Sequence, residues 1–235
     1  IKVPATASGV PAIKTLLTEG VNVNVTLLFA LDAYREVAET YVAALADRKA
    51  AGADVGSVAS VASFFVSRVD TAADGRLQAR IDAGESGLES MLGKTAVANA
   101  IAAYGAYLDI FAGRQWEELK AAGARVQRCL WASTGTKNAA YSDVLYVEEL
   151  IAPDTVNTLP PATAAAWEDH GEARLTLEDG MAGAKAHLQE LAAAGVSLEE
   201  ITDELLAAGV QAFADAYDIL LEDVAGKAAA LLEGA

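Results

Sequence analysis

The sequence predicts an α/β protein built on a parallel sheet. Short β-type runs alternate with longer helical segments from Ile1 to about Leu159, the pattern of βα units in series. With 53% hydrophobic and 21% charged residues over 235 positions, the chain has the make-up of a globular protein with a sizeable core. No internal repeat, low-complexity tract or linker divides it, so residues 1–235 are read as one domain.

The elements follow in order. Ile1–Pro4 reads as a strand stub. Gly9–Glu19 is expected as a helix, with Ile13, Leu16 and Leu17 on one face and Gly20 as its stop. Val21–Phe29 carries the clearest strand pattern: Val21, Val23 and Val25 share one face, Asn22, Asn24 and Thr26 the other. Asp32 is placed to cap a helix over Ala33–Arg48, striped by Val37, Tyr41 and Ala44. Val58–Arg68 reads as a strand. An Asp- and Gly-rich loop is expected after it, then a helix around Lys94–Ala122 with Val97, Ile101, Tyr104 and Leu108 at helical spacing. Arg125–Ala132 reads as a strand, Tyr141–Ile151 as a short helix, and Val156–Leu159 as a strand stopped by Pro160 and Pro161. The remainder is helical. Thr176 with Asp179 and Ser197 with Glu200 have capping-box spacing, and Val210, Phe213, Tyr217, Leu220 and Val224 predict a buried stripe on the last helix. A closed eight-stranded barrel needs more strands than these. Either strands precede Ile1 or the sheet is open.

The formal net charge of −16 argues against a nucleic-acid backbone or an anionic membrane as partner, since both take a basic surface. An anionic small molecule would need a local cationic pocket. No apolar run reaches the roughly 20 residues of a membrane span, and no signal-peptide pattern opens the chain; a cytoplasmic protein is expected. Cys129 is the only cysteine, which excludes an internal disulfide and a zinc-ligand cluster. It lies in an apolar run and reads as core. The chain opens on Ile1 and enters an apolar segment at once, as a piece cut from something longer would.

Lys2, flanked by Ile1 and Val3, sits where a buried strand would place it. A buried ammonium is paired or shifted to a lower pKa, and a neutral amine attacks carbonyls. The competing reading is a solvated lysine near a chain end. Asn22, Asn24 and Thr26 suit polyol hydroxyls or a bound water, or equally a polar interior satisfied by its neighbours. Arg68 closes a strand run, and in barrels the carboxyl ends of strands gather binding residues; its guanidinium matches phosphate geometry. Lys137 follows the next strand in a Ser/Thr/Gly-rich loop suited to an anion. Each cation alone is a weak signal. His170 and His187 fall in late, helix-rich regions and read as surface or structural; Trp116, Trp131 and Trp167 read as packing residues.

Five segments occur in the order and spacing of the transaldolases: IKVPAT, GVNVNVTLLFAL, ASVASFFVSRVD, WASTGTKNAAYSD and DTVNTLPPAT. The chain from Ile1 to about Thr163 resembles that family, and the helical remainder fits its end. The resemblance implies a (β/α)8 TIM barrel, truncated at the front to about five of eight strands, with a helical carboxyl-terminal end. It also implies a transferase of the pentose phosphate pathway. Such an enzyme passes a dihydroxyacetone unit from sedoheptulose 7-phosphate or fructose 6-phosphate to an aldose phosphate through a lysine Schiff base, without metal or organic cofactor.

Carried over position by position, the resemblance makes Lys2 the Schiff-base lysine and Thr26 a holder of the catalytic water. Asn24 then binds the dihydroxyacetone moiety, Ser63 binds substrate hydroxyls, Phe65 packs beside the site, and Arg68 binds phosphate. Lys137 falls where many relatives carry a second phosphate-binding arginine, so a point charge replaces a fork. The family's proton-shuttling aspartate and glutamate lie ahead of the lysine strand and find no match here. The chain alone is therefore expected to be impaired. The alternative is a sugar-phosphate-binding or interaction piece, partnered by a second copy or by the front of the barrel.

Overall fold

The alternation of valines with polar residues sets the sheet. The computed structural model describes residues 1–233, with side chains to 228; the last two residues of the expected domain lie outside that range. Five parallel strands lie side by side in chain order: β1 (Lys2–Pro4), β2 (Val23–Leu28), β3 (Ser60–Phe65), β4 (Arg128–Ala132) and β5 (Thr155–Asn157). Parallel neighbours need crossovers. These are α1 (Gly9–Glu19) and α2 (Leu31–Ala50), then α3 (Ser67–Asp82), α4 (Thr95–Ile110) and α5 (Arg114–Ala121) before β4, and the short α6 (Leu145–Glu148) before β5. Three further helices follow, α7 (Pro161–His170), α8 (Leu177–Ala193) and α9 (Leu198–Glu233). Strands paired in chain order with helical crossovers match the pattern of a TIM-barrel-like wall. Among the described residues the row holds five strands and is open at β1 and β5.

Val23 and Val25 are buried on the helix-covered face, as their alternation with Asn24 predicts. The same face carries Phe64 edge-on to Trp131 at 6.2 Å and Tyr34 edge-on to Phe64 at 6.4 Å. Cys129 lies among them. Burial pushes its thiol up to about 12, against the lowering effect of its hydrogen bond to the Tyr34 hydroxyl, so it stays an inert core residue.

Several elements differ from expectation, each for a tertiary reason. The segment expected as an Asp- and Gly-rich loop is the helix α3. Its buried stripe of Val69, Ala73 and Leu77 is hidden among charges that pair outward, Arg76 with Glu204 at 2.7 Å and Arg80 with Glu85 at 2.6 Å. The helix expected over Lys94–Ala122 breaks after Ile110 and bends by 71° into α5. There Phe111 turns in to meet Trp116 edge-on, centroids 4.8 Å apart. Asp32 sits inside α2, in its first turn, and Ala30 is the cap. Ser197 caps α9 by accepting the Glu200 amide at 3.1 Å. Thr176 makes no such cap; its hydroxyl donates to the Glu148 carbonyl at 2.8 Å and accepts the Ile151 amide, pinning the start of α8 to the end of α6. The predicted stripe Val210, Phe213, Tyr217, Leu220 and Val224 is exposed rather than buried. Among the described side chains, only the first turns of α9 pack: Ile201 is buried, and a side chain on Gly209 would meet the end of Leu27 at 2.9 Å. His187 is buried, with its ring nitrogen 3.0 Å from the Thr95 hydroxyl, while His170 pairs at the surface with Asp143 and Asp169.

Candidate active site

Strand register builds the site. Lys2 pairs with Asn24, Asn24 with Val61 and Val61 with Arg128. Side chains at one level of a parallel sheet point the same way, so these four form a row on the face opposite the buried valines. The next level holds Thr26 beside Pro4, and Ser63 beside Leu130. A 2.6 Å hydrogen bond from the Ser63 hydroxyl to Asn24 Oδ1 ties the two levels together. Thr26 is fully buried, and its hydroxyl has no partner among the described residues. Unpaired buried hydroxyls are costly.

Lys2 is exposed, contrary to the buried setting expected from its apolar flanks. β1 is an edge strand, with β2 as its one neighbour among the described residues. A cleft of about 1150 Å³ opens where the strands begin; Lys2, Asn24, Val61 and Arg128 line it. Arg128 is a cation of this row that sequence reasoning passed over. The signal for it was its place two residues before Leu130 in a strand of period two.

The other predicted cations lie where the strands finish. β3 ends at Phe65, so Arg68 stands in the first turn of α3 rather than on the strand. Its guanidinium lies 5.3 Å above the Phe65 ring, which packs on Phe29 at 5.2 Å. A helix amino-terminus favours anions. Lys137 is exposed in the loop after β4, in a turn closed by Thr136 Oγ1 donating to the Ser142 carbonyl at 2.8 Å. The two segments meet at Ser67 and Ser133, whose hydroxyls are 3.0 Å apart while the Ser67 amide donates to the Ser133 carbonyl at 3.0 Å. Lys2, Arg68 and Lys137 form no ion pair among the described residues. The structure thus joins Lys2, Asn24 and Ser63 at one place and Phe65 with Arg68 at another. No hydrogen bond among the described residues ties the Lys137 side chain to either group.

Behind this surface lies Asp70, missed because its segment reads as a loop; its spacing of four from Asp74 is the signal. Burial raises its carboxyl to about 6, against the lowering effect of hydrogen bonds from the Ala96 amide and the Tyr146 hydroxyl. A carboxyl raised on folding binds protons more tightly in the native state, so its contribution is fully present below the unfolded value near 3.8 and is lost as pH rises through 6. Relative to Asp70→Asn, the wild-type chain should lose about 3 kcal/mol of stability as pH goes from 3 to 7. Urea melts of the two proteins at each pH give the difference, and a flat difference would refute it.

A parallel sheet in chain order, with a lysine, an amide and a hydroxyl on its open face, defines a lysine-bearing α/β protein. Residues 1–224 match the family described as Transaldolase/Fructose-6-phosphate aldolase, and the chain belongs to that family. It is 44% identical over 235 residues to transaldolase 2 of Nostoc sp., covering 97% of this chain and 62% of that protein. It is 48% identical over 226 residues to transaldolase 1 of Streptomyces avermitilis, covering 96% and 59%. To the transaldolase of Parafrankia sp. it is 49% identical over 225 residues, covering 95% and 60%. The chain thus spans about three fifths of the length of these relatives.

Proposed function

We propose that this chain carries the Schiff-base chemistry of a transaldolase acting on phosphorylated sugars in the cytoplasm. The observation that carries the reading is the register of Lys2 against Asn24, with Asn24 hydrogen-bonded to Ser63 at 2.6 Å. An amine thereby stands beside an amide and a hydroxyl that suit a small polyol. The family match and the transaldolase relatives support it.

The neutral Lys2 amine adds to the ketone of a ketose phosphate, and the adduct takes up a proton and loses water to give a protonated imine. The C3–C4 bond then breaks. Its electrons move into the imine to form an enamine, the C4 hydroxyl proton passes to a base, and an aldose phosphate departs. The enamine attacks the aldehyde of a second aldose phosphate, the proton returns to the new hydroxyl, and water releases the product ketose from Lys2. Asn24 and Ser63 hold the hydroxyls of the three-carbon unit, Thr26 holds a water, and Arg68 and Lys137 receive the phosphate.

Borohydride treatment in the presence of fructose 6-phosphate, followed by peptide mass mapping, tests the reading. The reduced adduct is expected on Lys2. An adduct on another lysine, or none, would sink it. Release of free dihydroxyacetone without an acceptor would instead indicate simple aldol cleavage. Thr26→Val tests the water-holding role. It replaces an unpaired buried hydroxyl by a methyl of like size, so stability should rise by about 1 kcal/mol or stay unchanged. Turnover should fall roughly 10²-fold. Unchanged turnover would remove Thr26 from the mechanism.

A further inference from the structure

Arg68 and Lys137 stand on different segments, one on a helix and one on a loop, and a phosphate that takes both needs their spacing held. Two carboxylates one helical turn apart on α3 provide a link. Asp74 accepts the Tyr141 hydroxyl on Oδ2 at 2.7 Å and the Gly93 amide on Oδ1 at 2.9 Å. Asp70 repeats the pattern, accepting the Tyr146 hydroxyl on Oδ2 at 2.8 Å and the Ala96 amide on Oδ1 at 2.7 Å. Each acid therefore grips the start of α4 with one oxygen and a tyrosine from the region after β4 with the other. Hydrogen bonds to a carboxylate are the strong kind, and two in parallel restrict rotation as well as separation.

The packing agrees. Gly93 has φ +71°, and a Cβ there would stand 2.8 Å from Tyr141 Cζ, so the ring lies flush against a backbone that only glycine leaves open. Tyr141 is four residues beyond Lys137 in the compact turn closed by Thr136 and Ser142. Its amide also donates to the Asn138 carbonyl at 3.1 Å. Arg68 is six residues before Asp74 on the same helix. Together with the Ser67–Ser133 contact, the segment from the Lys137 loop into α6 is fastened to α3 at three successive levels.

We propose that Asp70, Asp74, Tyr141 and Tyr146 are positioning residues that hold the Lys137 loop against the Arg68 helix, so that both cations meet one phosphate group. The inference rests on the reading of Arg68 and Lys137 as phosphate ligands. None of the four touches substrate. They act through the two cations, and a change in them alters phosphate affinity rather than imine formation.

The test is a double-mutant cycle read by calorimetric titration of the full chain with inorganic phosphate. Tyr141→Phe, which removes one oxygen, is expected to weaken phosphate about fivefold, and Tyr146→Phe less; Lys137→Ala should weaken it about tenfold. The Lys137→Ala/Tyr141→Phe double variant should bind as Lys137→Ala does, because the clamp has nothing left to position. Fully additive losses, unchanged affinity in Tyr141→Phe, or a wild type that takes no phosphate would overturn the proposal. Borohydride trapping of unphosphorylated dihydroxyacetone runs alongside and should be equal in wild type and Tyr141→Phe. Loss of trapping together with phosphate affinity in Tyr141→Phe would mean general damage and also overturns it. Absence of trapping in the wild type counts against the Schiff-base reading alone and leaves the phosphate cycle standing.

Discussion

On the Schiff-base reading proposed above, Lys2→Ala and Lys2→Arg are each expected to lower dihydroxyacetone transfer by on the order of 10⁴-fold or more, the scale at which removing a covalent nucleophile registers. The two variants divide the lysine's duties. Alanine removes both charge and nucleophile. Arginine keeps the charge at this edge of the sheet, but its guanidinium never becomes a neutral amine, so it forms no imine with a ketone. If Lys2 served only as a cation for an anionic substrate, arginine would restore much of the activity. Borohydride trapping should be absent in both variants, while titration with inorganic phosphate should match wild type, since Arg68 and Lys137 lie at the opposite ends of the strands. Retained trapping in either variant would move the nucleophile elsewhere. Lys2 is exposed on an edge strand, so neither change disturbs a packed core, and lost activity in these variants reports on chemistry.

Trp131→Ala is expected to cost about 3–5 kcal/mol. Trp131 is fully buried on β4, edge-on to Phe64 of β3 at 6.2 Å. Truncation deletes a large aromatic surface and leaves a cavity between β4 and the helices that backbone relaxation only partly fills. Its indole Nε1 has no hydrogen-bond partner among the described residues. Trp131→Phe therefore loses volume but no polar contact, and should cost clearly less. Thermal melts should show the alanine variant lower by about 10 °C. Equal melting temperatures for wild type and alanine would mean that this core collapses freely around the gap. Either result bears on the site, because β4 carries Arg128 at one end and leads into the Lys137 loop at the other.

Much of the sheet was legible in the sequence. Alternation of Val23 and Val25 with Asn24 marked the faces of β2, and the proline pair at Pro160 and Pro161 marked the end of β5, because both signals are local. α3 was illegible for an equally physical reason. Its apolar face is narrow, and Asp70, Asp74, Asp82 and Gly75 outweigh Val69, Ala73 and Leu77 in any local count, although Asp70 and Asp74 are exactly what the neighbouring segments bond to. The stripe on α9 misled in the opposite sense. Helical spacing shows that one face is apolar, but not that another element lies against it.

The residues of the candidate site follow the same division. The types at strand faces and ends, such as the Asn24 amide, the Ser63 hydroxyl and the Arg68 cation, were set by the sequence, since a side chain's chemistry and its side of a strand follow from identity and period two. Whether Lys2 is buried, whether Thr26 finds a partner, and what holds Lys137 in place were decided only by tertiary structure. The bonds that fasten the segment after β4 to α3 join residues far apart in the chain, 67 positions for Tyr141 with Asp74 and 76 for Tyr146 with Asp70. Periodicity carries no information about such pairs. They form because the crossover after β3 and the loop after β4 are brought side by side by strands that pair in order, and a buried carboxylate accepts whichever donors that pairing delivers.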